Sequence, residues 1–278
     1  MSLAVFLAVL GAALLHATWN GLIRIGSNKI GTMLVMTLTQ AAIGLALALT
    51  RPWPAAEVWL WLLASGVLHS AYKLLLTFAY EHGDLSRVYP IARGAAPAIV
   101  LVVGLAFLAE PMSPFEVLGI SVLVLGILTM ARGVFTSGES LRVLPFAFGS
   151  ALATAGYSIV DGLGARIAGD ALMFVGWMFF LDAVFFTPAA LWLRGRQVWI
   201  PPGRAWVPGA TAATASFAAY AIAVWAMTQA PIALVTALRE TSILFAVLIG
   251  WLIFREPMTR GKALAAGLIL VGVALTRI

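Results

Sequence analysis

Residues 104–118 read GLAFLAEPMSPFEVL, and residues 250–264 read GWLIFREPMTRGKAL. In each, an apolar run stops at Glu-Pro-Met, a few polar residues intervene, and a second apolar run starts. The two lie 146 positions apart. The same shift sets 85–132 against 231–278 with seven identical pairs: Arg93/Arg239, Gly104/Gly250, Glu110/Glu256, Pro111/Pro257, Met112/Met258, Leu118/Leu264 and Gly126/Gly272. Earlier in the two halves, Asn20-Gly21 resembles Asp161-Gly162, and Tyr72 falls close to Tyr220. Repetition on this scale describes a chain built as two copies of one unit. Outward from the Glu-Pro motif, apolar stretches fall at 3–23, 30–49, 58–80, 88–108, 117–131, 143–163, 171–193, 205–228, 231–254 and 263–276, five per copy. An odd number of helices per copy makes the second copy enter a membrane from the opposite face. The expected fold is therefore an all-α integral membrane protein. Its ten transmembrane helices form two inverted five-helix repeats around a central cavity, the first at 1–132, a connecting loop at 133–142, and the second at 143–278.

Composition supports the same reading. Of 278 residues, 62% are hydrophobic and 10% charged, with mean hydropathy +1.02. A soluble domain carries about 25% charged residues, so this chain cannot coat a water-facing globule. At about 20 residues per span, ten spans take roughly 200 residues and leave about 78 for connections. That excludes a soluble enzyme, a sizeable appended domain and a single-anchor protein. There is no Cys, hence no disulfide framework, thiol nucleophile or thiolate metal site. The net charge of +6 does not mark a nucleic-acid binder, because the basic residues sit in loops between apolar runs rather than on one surface.

Loop charges bear on orientation. Odd-numbered loops hold eleven basic residues (Arg24, Lys29, Arg87, Arg132, Arg142, Arg194, Arg196, Arg204, Arg255, Arg260, Lys262), while even-numbered loops and the C-terminal tail hold three (Arg51, Arg166, Arg277). By the positive-inside rule the odd loops face the cytoplasm and both termini lie outside. Met1-Ser2-Leu3 lacks the basic region of a cleaved signal, so the first stretch is expected to persist as a helix.

Three of the seventeen basic residues, Lys73, Arg93 and Arg239, fall inside apolar stretches, as do Asp182 and Glu240, with Asp161 nearer a helix end. A charge at the bilayer centre costs about 2.5–3.5 kcal/mol even on the lenient insertion scale, so each needs a partner, water or a substrate. Helical spacing gathers them on faces: His16, Trp19 and Asn20 in helix 1; His69, Tyr72, Lys73 and Tyr80 in helix 3; Tyr89, Arg93 and Pro97 in helix 4; Thr154, Tyr157 and Asp161 in helix 6; Ser216 and Tyr220 in helix 8; Thr236, Arg239, Glu240 and Ile243 in helix 9. Polar faces on several helices converge, since none faces lipid cheaply. Plainer readings exist for each: ion pairs that lock helices, tyrosines anchored at the interface, histidines satisfied by carbonyls, Asp182 paired to Lys73, Arg93 or Arg239. Two histidines on separate helices without matched carboxylates make a weak metal site, and none is expected. Arg93 and Arg239, at matching positions of the two copies, are the leading candidates for substrate contact. Lys73, Glu240, Tyr89, Tyr72, Trp19, Asn20, His16, His69, Asp161 and Tyr220 complete the candidate site.

The two five-helix halves, the repeated Glu110-Pro111 and Glu256-Pro257, and the segments His16-Ala17-Thr18-Trp19-Asn20 and Tyr89-Pro90-Ile91-Ala92-Arg93-Gly94 resemble the EamA type of the drug/metabolite transporter superfamily. The resemblance covers essentially the whole chain. It implies ten helices, a cavity lined by helices 1, 3, 4, 6, 8 and 9, movement of small metabolites, often outward across a bacterial inner membrane, and both termini in the cytoplasm, opposite to the loop charges. The small multidrug exporters of that superfamily carry a carboxylate in their first helix; here helix 1 has none.

The expected function is a secondary active or facilitative transporter of small polar metabolites. Amino-acid-like zwitterions moved outward by alternating access lead, because the spans hold three charges of each sign. A permease for small organic anions such as phosphonates is the alternative, favoured if the carboxylates are tied up in pairs; the 89–94 segment is similar to a branch associated with phosphonate use. A multidrug or cation exporter ranks below both. The absence of H-E-x-x-H, G-x-S-x-G and Walker-type loops argues against an enzyme and against direct use of ATP. No cofactor is expected, the partners being a small-molecule substrate and the lipid bilayer, with Glu240 or a histidine able to carry a coupling proton, and the chain a monomer or homodimer.

Overall fold

The computed structural model describes residues 1–23, 29–82, 85–130, 143–195, 206–252, 255 and 257–278. The connecting loop 133–142 and Glu256, and the side chains of Asn20, Tyr80 and Tyr89, lie outside the described residues. The described chain is helical: α1 (Leu3–Ile23), α2 (Lys29–Ala48), α3 (Ala56–His82), α4 (Leu85–Val103), α5 (Pro114–Met130), α6 (Val143–Ala168), α7 (Ala171–Arg194), α8 (Trp206–Met227), α9 (Ile232–Arg239), α10 (Ser242–Leu252) and α11 (Arg260–Leu275). In hydrocarbon every backbone group must be bonded within the segment, which is why apolar sequence of this length becomes helix. Five segments are long and apolar enough to cross a bilayer, four shorter helices are also apolar, and large side chains such as Phe107 (80% exposed) and Trp192 (85%) lie on the outside.

The sequence-derived stretches match these helices with three differences. The fourth stretch ends in a wider π turn at Gly104–Leu108. The sixth runs on to Ala168, so Arg166 belongs to the last turn of α6 rather than to a loop. The ninth stretch is two helices: the amide N–H groups of Glu240, Thr241 and Ile243 each bond three residues back, and the Thr241 hydroxyl donates to the Leu238 carbonyl at 2.7 Å. The run Glu240-Thr241-Ser242 offers the backbone local alternatives to the α ladder, and Ile243 belongs to a different helix from Thr236 and Arg239.

The Glu-Pro motif acts as a stop and a start. Ala109 (φ 48°) and Arg255 (φ 54°), which occupy the same place in the two copies, are the non-glycine residues with left-handed backbone among those described. Each closes a helix as glycine commonly does, and the following proline cannot continue it. Ser113 and Thr259, again a matched pair, then cap the next helices, accepting from the amides of Glu116 (3.1 Å) and Lys262 (3.3 Å); Glu116 returns the bond by accepting from the Ser113 amide at 2.8 Å.

Packing obeys the repeat. With α9 and α10 counted as one interrupted helix, exchanging each helix of one copy for its counterpart in the other maps α3 on α6 onto α8 on α1. It maps α3 on α7 onto α8 on α2, α4 on α6 onto the interrupted helix on α1, and α4 on α5 onto α10 on α11. The pairs α2 with α7, α5 with α11, and α4 with the interrupted helix map onto themselves and so sit on the pseudo-twofold axis. Two of these self-mapped pairs approach through glycine. A Cβ on Gly44 would lie 2.7 Å from the Gly176 carbonyl oxygen, and one on Gly272 would lie 2.7 Å from that of Gly119.

One end of the bundle is tied together by even-numbered connectors. Arg51 pairs with Asp170 at 3.5 Å and Arg166 with Glu110 at 2.7 Å, and the Arg277 guanidinium donates to the Met1 carbonyl at 3.0 Å. Arg166 also donates to the carbonyls of Met227 (2.8 Å) and Ala230 (3.0 Å), while Glu110 accepts from the Ile232 amide at 2.9 Å and caps α9. Both termini therefore lie at the same end, as an even number of crossings requires.

Candidate functional site

Lys73, one turn beyond His69 on α3, is bound by Asp182 of α7, which is 0% exposed; its ammonium also donates to Thr37 of α2 and lies 5.4 Å from the Phe186 ring centroid. The Ser70 hydroxyl completes the knot by donating to the Asp182 carboxylate at 3.2 Å. Of the readings open to Asp182, this is the ion pair. Such a pair joins three helices and gives Lys73 a partner in the protein itself.

One turn earlier, His69 Nε2 is 2.9 Å from Asp161 Oδ2 of α6, and the Tyr220 hydroxyl of α8 donates to the same oxygen. Tyr157, four residues before Asp161, stacks on the imidazole at 4.1 Å, with Tyr220 edge-on at 5.2 Å and Tyr72 edge-on to Tyr157 at 5.6 Å. Asp161 is 0% exposed, and among the described residues its Oδ1 accepts no hydrogen bond. His69, Asp161, Tyr220, Tyr72 and Tyr157, drawn from α3, α6 and α8, thus form one cluster. The i, i+4 spacing of Tyr157 from Asp161 was the available signal for its place there.

Arg93 of α4 donates from Nε to Glu240 at 2.9 Å, both side chains buried. Its repeat equivalent, Arg239, is different. Applying the 146-residue shift to Glu240 gives Gly94, so the copy of the carboxylate that would answer Arg239 is a glycine. A Cβ at Gly94 would meet Ile127 at 2.9 Å and Leu128 at 3.2 Å, so a side chain there would require those α5 residues to shift. Arg239 instead lies over the face of Tyr220, guanidinium carbon 4.9 Å from the ring centroid, and among the described residues it forms no ion pair. It is 8% exposed. Glu240 and His16 both lie within electrostatic reach of Arg93 and Arg239.

His16 packs edge-on against Trp19 at 5.0 Å on α1, and Trp19 is buried against Met36, Ala212 and Ala213. The roles expected of Asn20 and Tyr89 rest on side chains outside the described residues. Sequence reasoning did not find the Gln40–Ser216 hydrogen bond (3.1 Å) between α2 and α8, since uncharged polar residues carry no cost signal in a span comparable to a charge. The pairs Lys73–Asp182, His69–Asp161, Arg93–Glu240 and Gln40–Ser216 each join the first copy to the second. Tyr220 and Glu240 also neighbour Arg239.

The chain matches the EamA-like transporter family over residues 3–132 and 141–278, and it belongs to that family. It is accordingly a multi-pass membrane transporter of the drug/metabolite transporter superfamily, a class of transporters rather than enzymes. A crystal structure of another protein shares the fold with a TM-score of 0.77 at 18% identity, covering 99% of this chain and 98% of that one. No curated protein matches the sequence.

Proposed function

We propose that this protein is a secondary or facilitative transporter of small polar metabolites whose anionic group docks on Arg239. The observation that carries this is a buried guanidinium that forms no ion pair among the described residues. Asp161, Asp182 and Glu240 are each engaged by His69 and Tyr220, by Lys73, and by Arg93 respectively, while Arg239 is held open by Tyr220. A planar guanidinium accepts a carboxylate, phosphonate or phosphate bidentately. Small organic anions are favoured over amino-acid-like zwitterions, because the carboxylates that would take an ammonium are committed; a zwitterion would have to place its ammonium on the faces of Tyr72, Tyr157 or Trp19. In the interior, Asp161, Asp182 and Glu240 already have protein partners, so a cationic drug would have to displace one of them.

The mechanism we propose is alternating access, the two copies rocking about the self-mapped pairs with Arg239 near the axis. Outward movement across a bacterial inner membrane is the direction the family resemblance favours. The test is counterflow in liposomes with labelled L-aspartate, succinate and methylphosphonate, comparing wild type with Arg239→Ala and Arg239→Lys. Counterflow of at least one anion, lost in Arg239→Ala and weakened in Arg239→Lys, supports the reading. Full activity of Arg239→Ala, or no counterflow of any of the three, overturns it.

A further inference from the structure

We infer that the coupling ion is a proton and that it is carried by the His69–Asp161 pair; the inference rests on the transport reading above. An imidazole and a carboxylate, both able to carry a proton, share one contact, His69 Nε2 to Asp161 Oδ2 at 2.9 Å, in the interior of the bundle. Asp161 Oδ1, 0% exposed and unbonded among the described residues, is what makes the pair a proton site rather than a finished structural contact. A buried carboxylate that is structural fills its acceptor positions, as Asp182 does with Lys73 and Ser70. With His69 neutral and Asp161 ionised, the pair holds a buried negative charge. One added proton makes it neutral overall. The sandwich of Tyr157 and Tyr220 around the imidazole fixes the ring through that change.

The pair is wired to the anion site by one side chain. Tyr220 presents its hydroxyl to Asp161 and its ring face to Arg239. A proton on the pair removes the negative charge that competes with a substrate for Arg239, and a bound anion favours the proton in return. The coupling is reciprocal by thermodynamic necessity. The surrounding groups leave this logic intact. From α3, Tyr72 and Lys73 face the pair's neighbourhood, and Lys73 is neutralised by Asp182 of α7. From α6 and α8 come Tyr157 and Tyr220, from α4 Arg93 with Glu240 beyond α9, from α1 His16, and from α2 the uncharged Thr37 and Gln40. Proton and anion then move together, so the outward direction favoured above applies to downhill release of the anion, and an inward proton gradient opposes it.

The experiment uses the full chain in liposomes with the same three probes and reads two quantities: counterflow at equal pH, which needs no ion gradient, and accumulation driven by an imposed pH gradient, with proton flux followed by a trapped pH dye. Wild type is expected to accumulate the transported anion and to carry protons with it. Asp161→Asn and His69→Gln are expected to lower the ratio of pH-driven accumulation to counterflow by roughly tenfold or more, within the range of known site–site couplings. Two variants are used so that misfolding of one leaves a reading from the other, and residual counterflow certifies the fold. Counterflow in wild type without pH-driven accumulation or proton flux overturns this inference and leaves the transporter standing. An unchanged ratio in both variants overturns it as well. Absence of counterflow in wild type overturns both readings.

Discussion

Arg93 and Glu240 lie 147 positions apart in the chain and meet at 2.9 Å across the pseudo-twofold axis. Glu240 has no counterpart in the first copy, where Gly94 occupies its place against Ile127. One arginine of a symmetric pair is therefore neutralised and the other, Arg239, is not. Symmetry positions the two cations, and a single departure from it decides which of them has a carboxylate within ion-pair distance.

Breaking the neutralised half should cost stability. Glu240→Gln leaves Arg93 as a buried cation without its carboxylate, a loss of about 3–5 kcal/mol for such pairs. The double variant Arg93→Gln with Glu240→Gln should recover most of it. Thermal unfolding in detergent reads both, and a single variant as stable as wild type would contradict the assignment.

Lys73 and Asp182 should behave as a lock. Asp182→Asn is expected to lower stability by about 3–5 kcal/mol, with the Lys73→Met, Asp182→Leu double variant closer to wild type. The lock acts through stability rather than through substrate affinity, so a variant that folds should keep its apparent Kd for the transported anion. An affinity loss beyond tenfold at unchanged stability would assign Lys73 to the ligand instead.

Tyr220 has two separable parts. Tyr220→Phe keeps the ring under Arg239 and removes the hydroxyl from Asp161, whereas Tyr220→Leu removes both. A cation–π contact contributes about 0.5–2 kcal/mol, so the leucine variant should bind the transported anion roughly 2–30-fold more weakly than the phenylalanine variant. Equal affinities in an equilibrium binding assay would show that the ring does not hold Arg239.

The close helix crossings should reject any side chain. Gly44→Ala, Gly176→Ala and Gly272→Ala each place a methyl within 2.6–2.7 Å of a facing carbonyl oxygen, and should destabilise by about 1–3 kcal/mol as the helices part. Gly11→Ala and Gly267→Ala, whose Cβ meets nothing within 4 Å, should be neutral or slightly stabilising in the same unfolding assay.

Glu110 joins three connectors at one end of the bundle. Glu110→Ala removes the acceptor that caps α9 and the partner of Arg166, with an expected loss of about 0.5–2 kcal/mol from the cap alone. Glu110→Gln, which retains an acceptor oxygen for the Ile232 amide, should lose less. Hydrogen exchange at the start of α9 distinguishes the two variants.

Much of this architecture was legible along the chain because lipid is an unforgiving solvent. Apolar length marked the spans, and the 146-residue shift exposed the two copies. The cost of a charge in hydrocarbon singled out Lys73, Arg93, Arg239, Asp161, Asp182 and Glu240, and all six are now seen buried between helices. The break after Arg239 was not legible, because Glu-Thr-Ser inside an apolar run is compatible with an unbroken helix until its backbone bonds are known. Tyr157 was visible on the face of Asp161 but looked like an interfacial tyrosine, since spacing along a helix does not say how deep that helix lies.

The sequence by itself determined that the chain is a membrane bundle of two related halves with ionisable residues in its interior, since hydropathy and repetition are properties of order along the chain. Which charge answers which was decided by the tertiary structure alone. The partners of Lys73, His69 and Arg93 lie on helices 92 to 147 residues away, and three cations with three carboxylates admit several neutral pairings. Close packing chose one of them, seating Gly94 against Ile127, Asp182 beside Lys73 and Tyr220 beneath Arg239, and so left one guanidinium without an ion pair among the described residues.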